Sequence, residues 1–151
     1  MNIAFFGHKD FHDTDLEEKT IEYITTISKN SNVNFYLGNN GKFDDFARRC
    51  CVKYKQSHIY SNIFLVMPYH DKNLINKIEN YLGDYDNFIY PDLKNTPLKF
   101  SILKRNEWLI NNADVVICYI NYSWGGAYQA VKKALSKNKI IYNIGELNIK
   151  K

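Results

Sequence analysis

Two hydrophobic patterns alternate along the chain. Short, almost unbroken apolar runs recur as "NIAFFG" (Asn2–Gly7), "VNFYLG" (Val33–Gly38), "NIFLVMP" (Asn62–Pro68), "NFIYP" (Asn87–Pro91), "DVVICYI" (Asp114–Ile120) and "KIIYNI" (Lys139–Ile144). Each has the length of a strand and is bounded by glycine, proline or a polar cluster. Between them apolar residues return at three- and four-residue steps: Ile21, Ile24 and Ile27, then Phe43, Phe46, Ala47, Cys50 and Tyr54. A weaker set follows at Leu74, Ile75, Ile78 and Leu82, and another at Leu98, Ile102, Leu103 and Leu109. This spacing lines one face of a helix. "GAYQAVKKALSK" reads as a further helix. "TDLE" (Thr14–Glu17) fits a capping box ahead of the first helix, which is expected to reach Lys29, and Pro97 falls near the start of the fourth.

Strands that alternate with helices, and that are apolar on both faces, predict a parallel sheet covered on each side. With right-handed crossovers the expected fold is a three-layer, Rossmann-like α/β sandwich. Its mostly parallel sheet has about five to six strands, with helices on both faces. No internal repeat or linker interrupts the pattern, and 151 residues suit one domain spanning 1–151.

Composition narrows the picture only a little. The formal net charge of +4 permits a phosphate or nucleic-acid partner without arguing for one. The basic residues are scattered apart from Arg48-Arg49 and Lys132-Lys133. Cys50, Cys51 and Cys118 make no CxxC or Cys/His spacing, so neither a disulfide framework nor a metal site is expected. The four histidines are likewise scattered, and Cys118 sits in an apolar run that suits the core. No apolar run approaches ~18 residues and no leader precedes the first strand, so a cytoplasmic protein without a membrane partner is expected.

In an open parallel sheet, ligands sit beyond the carboxyl ends of the strands. Four polar clusters fall there: "GHKDF", "GNNGKFDD", "PYHD" and "NYSWGGA". Glycine allows close backbone approach, and a helix start offers unpaired N–H groups at a positive dipole end. Together they suit a phosphate or another anion. On this reading Gly125 and Gly126 keep side chains away from the amides that open the last long helix; the alternative is a tight strand-to-helix turn with no ligand. Neither GxGxxG nor GxxxxGK[ST] is present, so ordinary dinucleotide and P-loop sites are not expected.

These segments resemble a known superfamily. "FYLGNNGKFDDFARRC" is similar to the strand–"GGGxxGLMGA"–helix segment of SLOG proteins. That group includes the lonely-guy phosphoribohydrolases and the Rossmann-like domain of DNA-processing recombination mediators. "LKRNEWLINNADVVICYINYSWGGAYQAVKKA" is similar to the later "RKxxM…AD…LPGGxGTxxE" segment, and "IAFFGHKDF" to the "FxGHR" opening of small bacterial and phage members. The resemblance implies a pocket for nucleotides or nucleotide-derived molecules, with no cofactor. It assigns Gly38 and Gly41 to the first glycine turn and Arg105 to the family arginine. It assigns Gly125, Gly126 and Ala127 to the phosphate loop. The hydrolases carry a carboxylate just inside the following helix; here those positions are Tyr128, Gln129, Ala130 and Val131. A positioned acid or base supplies ~10²–10⁴-fold of rate, so hydrolase activity is not implied with the fold.

The candidate ligand-binding set is Gly7, His8, Gly38, Asn39, Asn40, Gly41, Asp45, Arg105, Asn106, Ser123, Trp124, Gly125, Gly126 and Ala127. Asp44, Asp45 and Arg105 are the candidates for any catalytic role. One of Asp44 and Asp45 can bind ribose or replace the missing acid, while the other complements a helix dipole. Arg105 can pair with phosphate, or with a carboxylate of a neighbouring helix. His8 follows the glycine that closes the first strand and can meet a phosphate or a base edge. Trp124 can stack on a base or cover the core. His70 and Asp71 can border the same cleft or form a surface turn, and Trp108, Phe35 and Phe46 are assigned to packing.

Three functions follow as expectations. The first is a nucleotide-binding module that senses or sequesters a nucleotide-derived signal. The second is an N-glycosidase or phosphoribohydrolase acting on nucleoside monophosphates. The third is single-stranded nucleic-acid binding, for which no clustered basic stripe is present. A homo-oligomer is expected, since related folds pair through helix faces.

Overall fold

The computed structural model describes residues 1–12, 15–39, 41–69, 72–91 and 96–150. Six strands form one sheet: β1 (Asn2–Gly7), β2 (Asn34–Leu37), β3 (Asn62–Val66), β4 (Asn87–Ile89), β5 (Val115–Tyr119) and β6 (Ile140–Asn143). Their spatial order is β4-β3-β2-β1-β5-β6, and every pairing is parallel. The helices are α1 (Glu17–Ile27), α2 (Lys42–Ser57), α3 (Leu74–Ile78), α4 (Ser101–Asn112) and α5 (Gly126–Ser136), with 3₁₀ turns at Glu79–Asp84 and Leu98–Phe100.

Side chains along a strand point alternately to opposite faces, and here both faces are apolar. Ile3 and Phe5 of β1 with Val115 and Ile117 of β5 meet Ile24 of α1 and Phe43, Phe46, Ala47 and Cys50 of α2. Ala4 and Phe6 with Val116 and Cys118 meet Leu109 and Ile110 of α4 and Ala130, Val131 and Ala134 of α5. The three-layer, Rossmann-like sandwich expected from the alternation is therefore the observed fold. At the amino ends of the strands Asn2, Asn34 and Asn62 sit in register; the Asn34 side-chain amide donates to Asn2 Oδ1 at 3.2 Å and that of Asn62 to Asn34 Oδ1 at 3.0 Å.

Several local expectations are corrected. Helix α1 opens at Glu17 with Leu16 in the cap position and no side-chain cap. Glu17 is thus the first helical residue and not the third residue of a capping box; Thr14 lies outside the described residues. The helix stops at Ile27, two residues early, because Lys29 and Asn30 turn into the left-handed region (φ 56° for both). On α3, Leu74 and Ile78 are buried but Ile75 is exposed, since so short a helix turns little of its surface to the sheet. On α4 the apolar face assigned from spacing is wrong in its first half. Leu98, Ile102 and Leu103 are exposed, and the side turned inward carries Ser101, Arg105, Leu109 and Ile110. Placing Arg105 inside rotates those leucine and isoleucine positions toward solvent.

The segment after β6 folds back on the end of β5. The Asn143 side chain accepts from Ile120 N and Gly145 N (both 2.9 Å) and donates to the carbonyls of Ile120 (2.9 Å) and Leu147 (2.7 Å). Glu146 N donates to Asn121 Oδ1 at 2.8 Å. This ties the chain's last turn to the loop that leaves β5.

On β1, the neighbour of β5, Gly7 is pressed against the core: a Cβ added there would lie 2.2 Å from Phe43 Cγ. Phe43 is buried and cannot yield without disturbing Phe11 and Phe46. Gly7→Ala is expected to destabilise the protein by ~1–3 kcal/mol through overpacking, read as a lower midpoint of urea unfolding with an unchanged slope.

Candidate functional site

From β1 the chain proceeds outward to β2 on one side, while β5 lies on the other. The strand order thus reverses between β1 and β5, the place where open α/β sheets open a crevice. Gly7 pairs with Tyr119, and His8 N donates to Tyr119 O at 3.2 Å. The loops that leave these two strands therefore stand side by side. Between them lies a cleft of about 520 Å³. Gly7, His8, Lys9 and Asp10 border it from β1, Gly38 from β2 and Asp44 from α2. Ile102, Arg105, Asn106 and Leu109 of α4 close one wall, and Tyr122, Trp124, Gly125, Gly126 and Ala127 another.

Two of its corners are built by helix starts. The residues in the cap positions of α2 and α5 are Gly41 (φ 112°, ψ −173°) and Gly125 (φ 94°, ψ 170°). Only glycine occupies this backbone region readily. Neither helix has a side-chain cap, so no side chain of the cap residue satisfies the first amides of α2 or α5. Gly126 borders the cleft, and a Cβ added there would meet no atom within 4 Å.

Beneath the cleft, Gly38 separates two charges. A Cβ there would lie 2.9 Å from both Arg105 Nη1 and Asp44 Oδ2. Arg105 is only 6% exposed. Its Nη1 donates to the carbonyl of Val66 at 3.2 Å and its Nε to Asn106 Oδ1 at 3.1 Å. Burial pulls the guanidinium below its ordinary range, and the Asp44 carboxylate opposes that pull.

A stack of rings forms the opposite wall. The His8 imidazole lies on Tyr122 with centroids 3.6 Å apart and planes 9° from parallel, and Tyr122 lies on Trp124 at 4.2 Å. Tyr122 donates its hydroxyl to Asp10 Oδ1 at 3.1 Å. His8 is 4% exposed, while Trp124 is 66% exposed. Nε2 of His8 is the one buried side-chain nitrogen or oxygen among the described residues with no hydrogen-bond partner. Burial lowers the basicity of His8; Asp10 and a hydrogen bond to the Tyr122 backbone act the other way.

Gly7, His8, Gly38, Asp44, Arg105, Asn106, Trp124, Gly125, Gly126 and Ala127 thus meet at one cleft. Asp45 does not border it. Its carboxylate is held by Arg48 (2.5 Å) and Arg49 (2.7 Å) on α2. Of the acidic pair, Asp44 faces the cleft and Asp45 serves the helix. Asn39 borders an adjoining recess with Met67, Pro68, Tyr69 and Arg105. Gly41 shapes the start of α2 from outside the cleft, and Ser123 is exposed beside it. Asn40, His70 and Asp71 lie outside the described residues. Tyr122 and Asp10 were missed by sequence reasoning. Tyr122 stands inside the "NYSWGG" segment, two residues before Trp124, and that spacing was the available signal.

In sequence, no protein family and no curated protein matches the chain. In three dimensions it is similar to DNA processing protein A from Streptococcus pneumoniae, with a TM-score of 0.62 and 15% identity. The likeness covers 94% of this chain and 49% of the other, so the chain spans about half that protein's length. At this identity the likeness is one of fold alone, a Rossmann-like α/β architecture. Among the described residues, no helix is long and apolar enough to cross a membrane.

The two adjacent glycines separate cleanly by substitution. Gly125→Ala forces a side chain into a strained backbone region and is expected to destabilise by ~1–3 kcal/mol. Gly126→Ala opens a helix with a better helix former in free space and is expected to be neutral or stabilising, by up to ~1 kcal/mol. Paired chemical unfolding curves check both.

Proposed function

We propose that the chain binds a nucleotide or a nucleotide-derived molecule in the cleft between the ends of β1 and β5. On this reading it acts as a module that senses or sequesters such a compound. The observation that carries the reading is the meeting of three features at one cleft of small-molecule size. The first turn of α5 offers open amides at a positive dipole end. Arg105 supplies a buried guanidinium suited to an anion. Trp124 offers an exposed ring on which a base can stack. The fold shared with DNA processing protein A is consistent with this reading.

Calorimetric titration with adenosine, guanosine and uridine 5′-monophosphates and ADP-ribose tests it. At least one is expected to bind, and Gly126→Ala is expected to weaken it about tenfold or more while leaving stability intact, because it adds a methyl group to a residue that lines the cleft beside the start of α5. Folded protein that binds none of the four overturns the reading. The neighbour's name carries DNA, so a single-stranded oligonucleotide belongs in the same series. Binding that falls steeply with added salt, together with no binding of the mononucleotides, would move the assignment to nucleic acid.

Asp44 favours a second reading. It is a carboxylate within the cleft, although the positions after the glycine pair hold no acid. A nucleotide N-glycosidase would use Asp44 as its positioned acid or base. Base release from nucleoside monophosphates is the assay. Under this reading Asp44→Asn lowers the rate ~10²-fold or more; release that is undetectable in the parent protein, or equal in Asp44→Asn, removes it.

A further inference from the structure

The cleft has a second lobe. Beyond the ends of β2 and β3, Asn39, Met67, Pro68, Tyr69 and Lys77 border a recess of about 230 Å³. Arg105 and Ile102 border both the recess and the cleft, so these two side chains form the partition between them. Arg105 takes that place because its Nη1 reaches the carbonyl of Val66, the last residue of β3. An exposed ring stands in each lobe. Trp124 borders the cleft and not the recess, while Tyr69, 47% exposed, borders the recess and not the cleft. The strand order β3-β2-β1-β5 puts three strand spacings, about 14 Å, between the ends from which those two loops leave. One base therefore serves one lobe. The recess is less than half the size of the cleft, which suits one further ring, and Asn39 and Lys77 give it hydrogen-bonding groups.

The charges beside the partition bear on how two such groups would be joined. Among the described residues, the cleft is bordered by Lys9 and Arg105 on the cationic side and by Asp10 and Asp44 on the anionic side. A Cβ at Gly38 would lie 2.9 Å from both Arg105 Nη1 and Asp44 Oδ2, so the guanidinium already has a counter-charge close by. A terminal phosphate monoester carries about −1.5 to −2 at pH 7, whereas a phosphate esterified on two sides carries one negative charge. The smaller charge suits a field so nearly neutral. We propose that the ligand of this cleft is a nucleotide whose phosphate is esterified to a second ring-bearing group, in its simplest form a dinucleotide. One base lies on Trp124, the diester lies at Arg105 beside the start of α5, and the second ring lies on Tyr69. The site differs from that of a GxGxxG loop, which the chain lacks. The inference rests on the nucleotide reading above and adds the size and linkage of the ligand.

The test is calorimetric titration of the whole chain with adenosine 5′-monophosphate, its methyl ester, adenylyl-(3′→5′)-adenosine and tetra-adenylate. The methyl ester has the charge of a diester without a second ring. The dinucleotide is expected to bind about tenfold or more tightly than the methyl ester, the effect of one added stacked ring. Tyr69→Ala is expected to remove that advantage and leave binding of the monophosphate and its methyl ester unchanged, whereas Tyr69→Phe keeps it. Tyr69 is exposed, so both variants are expected to unfold at the parent's urea midpoint. A dinucleotide that binds no more tightly than the methyl ester, or an advantage that survives in Tyr69→Ala, overturns the inference and leaves the nucleotide reading standing. Tetra-adenylate that binds as the dinucleotide does supports a ligand of two units; affinity that keeps rising with strand length overturns that size and moves the ligand to single-stranded nucleic acid. Absence of binding by all four overturns both readings.

Discussion

The pairing of β1 with β5 is the constraint on which the remaining arrangement depends. β1 is central, with β2 on one side and β5 on the other, although more than a hundred residues separate β1 from β5 in sequence. Their register runs from Ile3 with Val115 to Gly7 with Tyr119. Because both strands are buried on both faces, a slip of one residue would exchange the apolar sets that meet the two helix layers. The register therefore also fixes the loops beyond it. His8 arrives beside Tyr119 and comes to lie against Tyr122, and the start of α5 is brought to the same edge as Gly38.

Within the cleft, one missing side chain governs the charges. Gly38 leaves the room in which Arg105 and Asp44 approach each other beneath the surface. A guanidinium removed from water needs a counter-charge and hydrogen bonds, and it has Val66, Asn106 and Asp44 for these purposes. The local field is consequently balanced rather than strongly positive. The start of α5 adds a positive dipole end to that balanced field, in a chain whose overall charge is only +4. The wall made by His8, Tyr122 and Trp124 adds flat apolar surface next to that dipole end.

The layer architecture was legible because burial on two faces leaves a direct mark in sequence: near-continuous apolar strands separated by periodic helices. The glycine turns were legible too, since Gly41 and Gly125 adopt backbone angles that other residues avoid. What escaped reading depends on contacts between distant segments. The inward turn of α4 was misassigned because spacing alone favours Ile102 and Leu103 over an arginine, and nothing local announces that Arg105 has partners on β3 and α2. Asp44 and Asp45 look equivalent in a string of letters; they divide because Arg48 and Arg49 stand one turn from Asp45. The Asn2–Asn34–Asn62 ladder and the role of Tyr122 arise only once separate strand ends are brought into line.

The fold of the last residues has a reach beyond their position. Asn143 grips both the amide and the carbonyl of Ile120, and Gly145 lies so close that a methyl group there would sit 2.6 Å from the Ile120 oxygen. Asn121, the next residue, is held by Glu146. The ring-bearing loop is thereby clamped from behind at its root, as a shelf is by a bracket out of view. Sequence drift at Asn143, Gly145 or Glu146 would loosen or stiffen that shelf without altering any residue that borders the cleft.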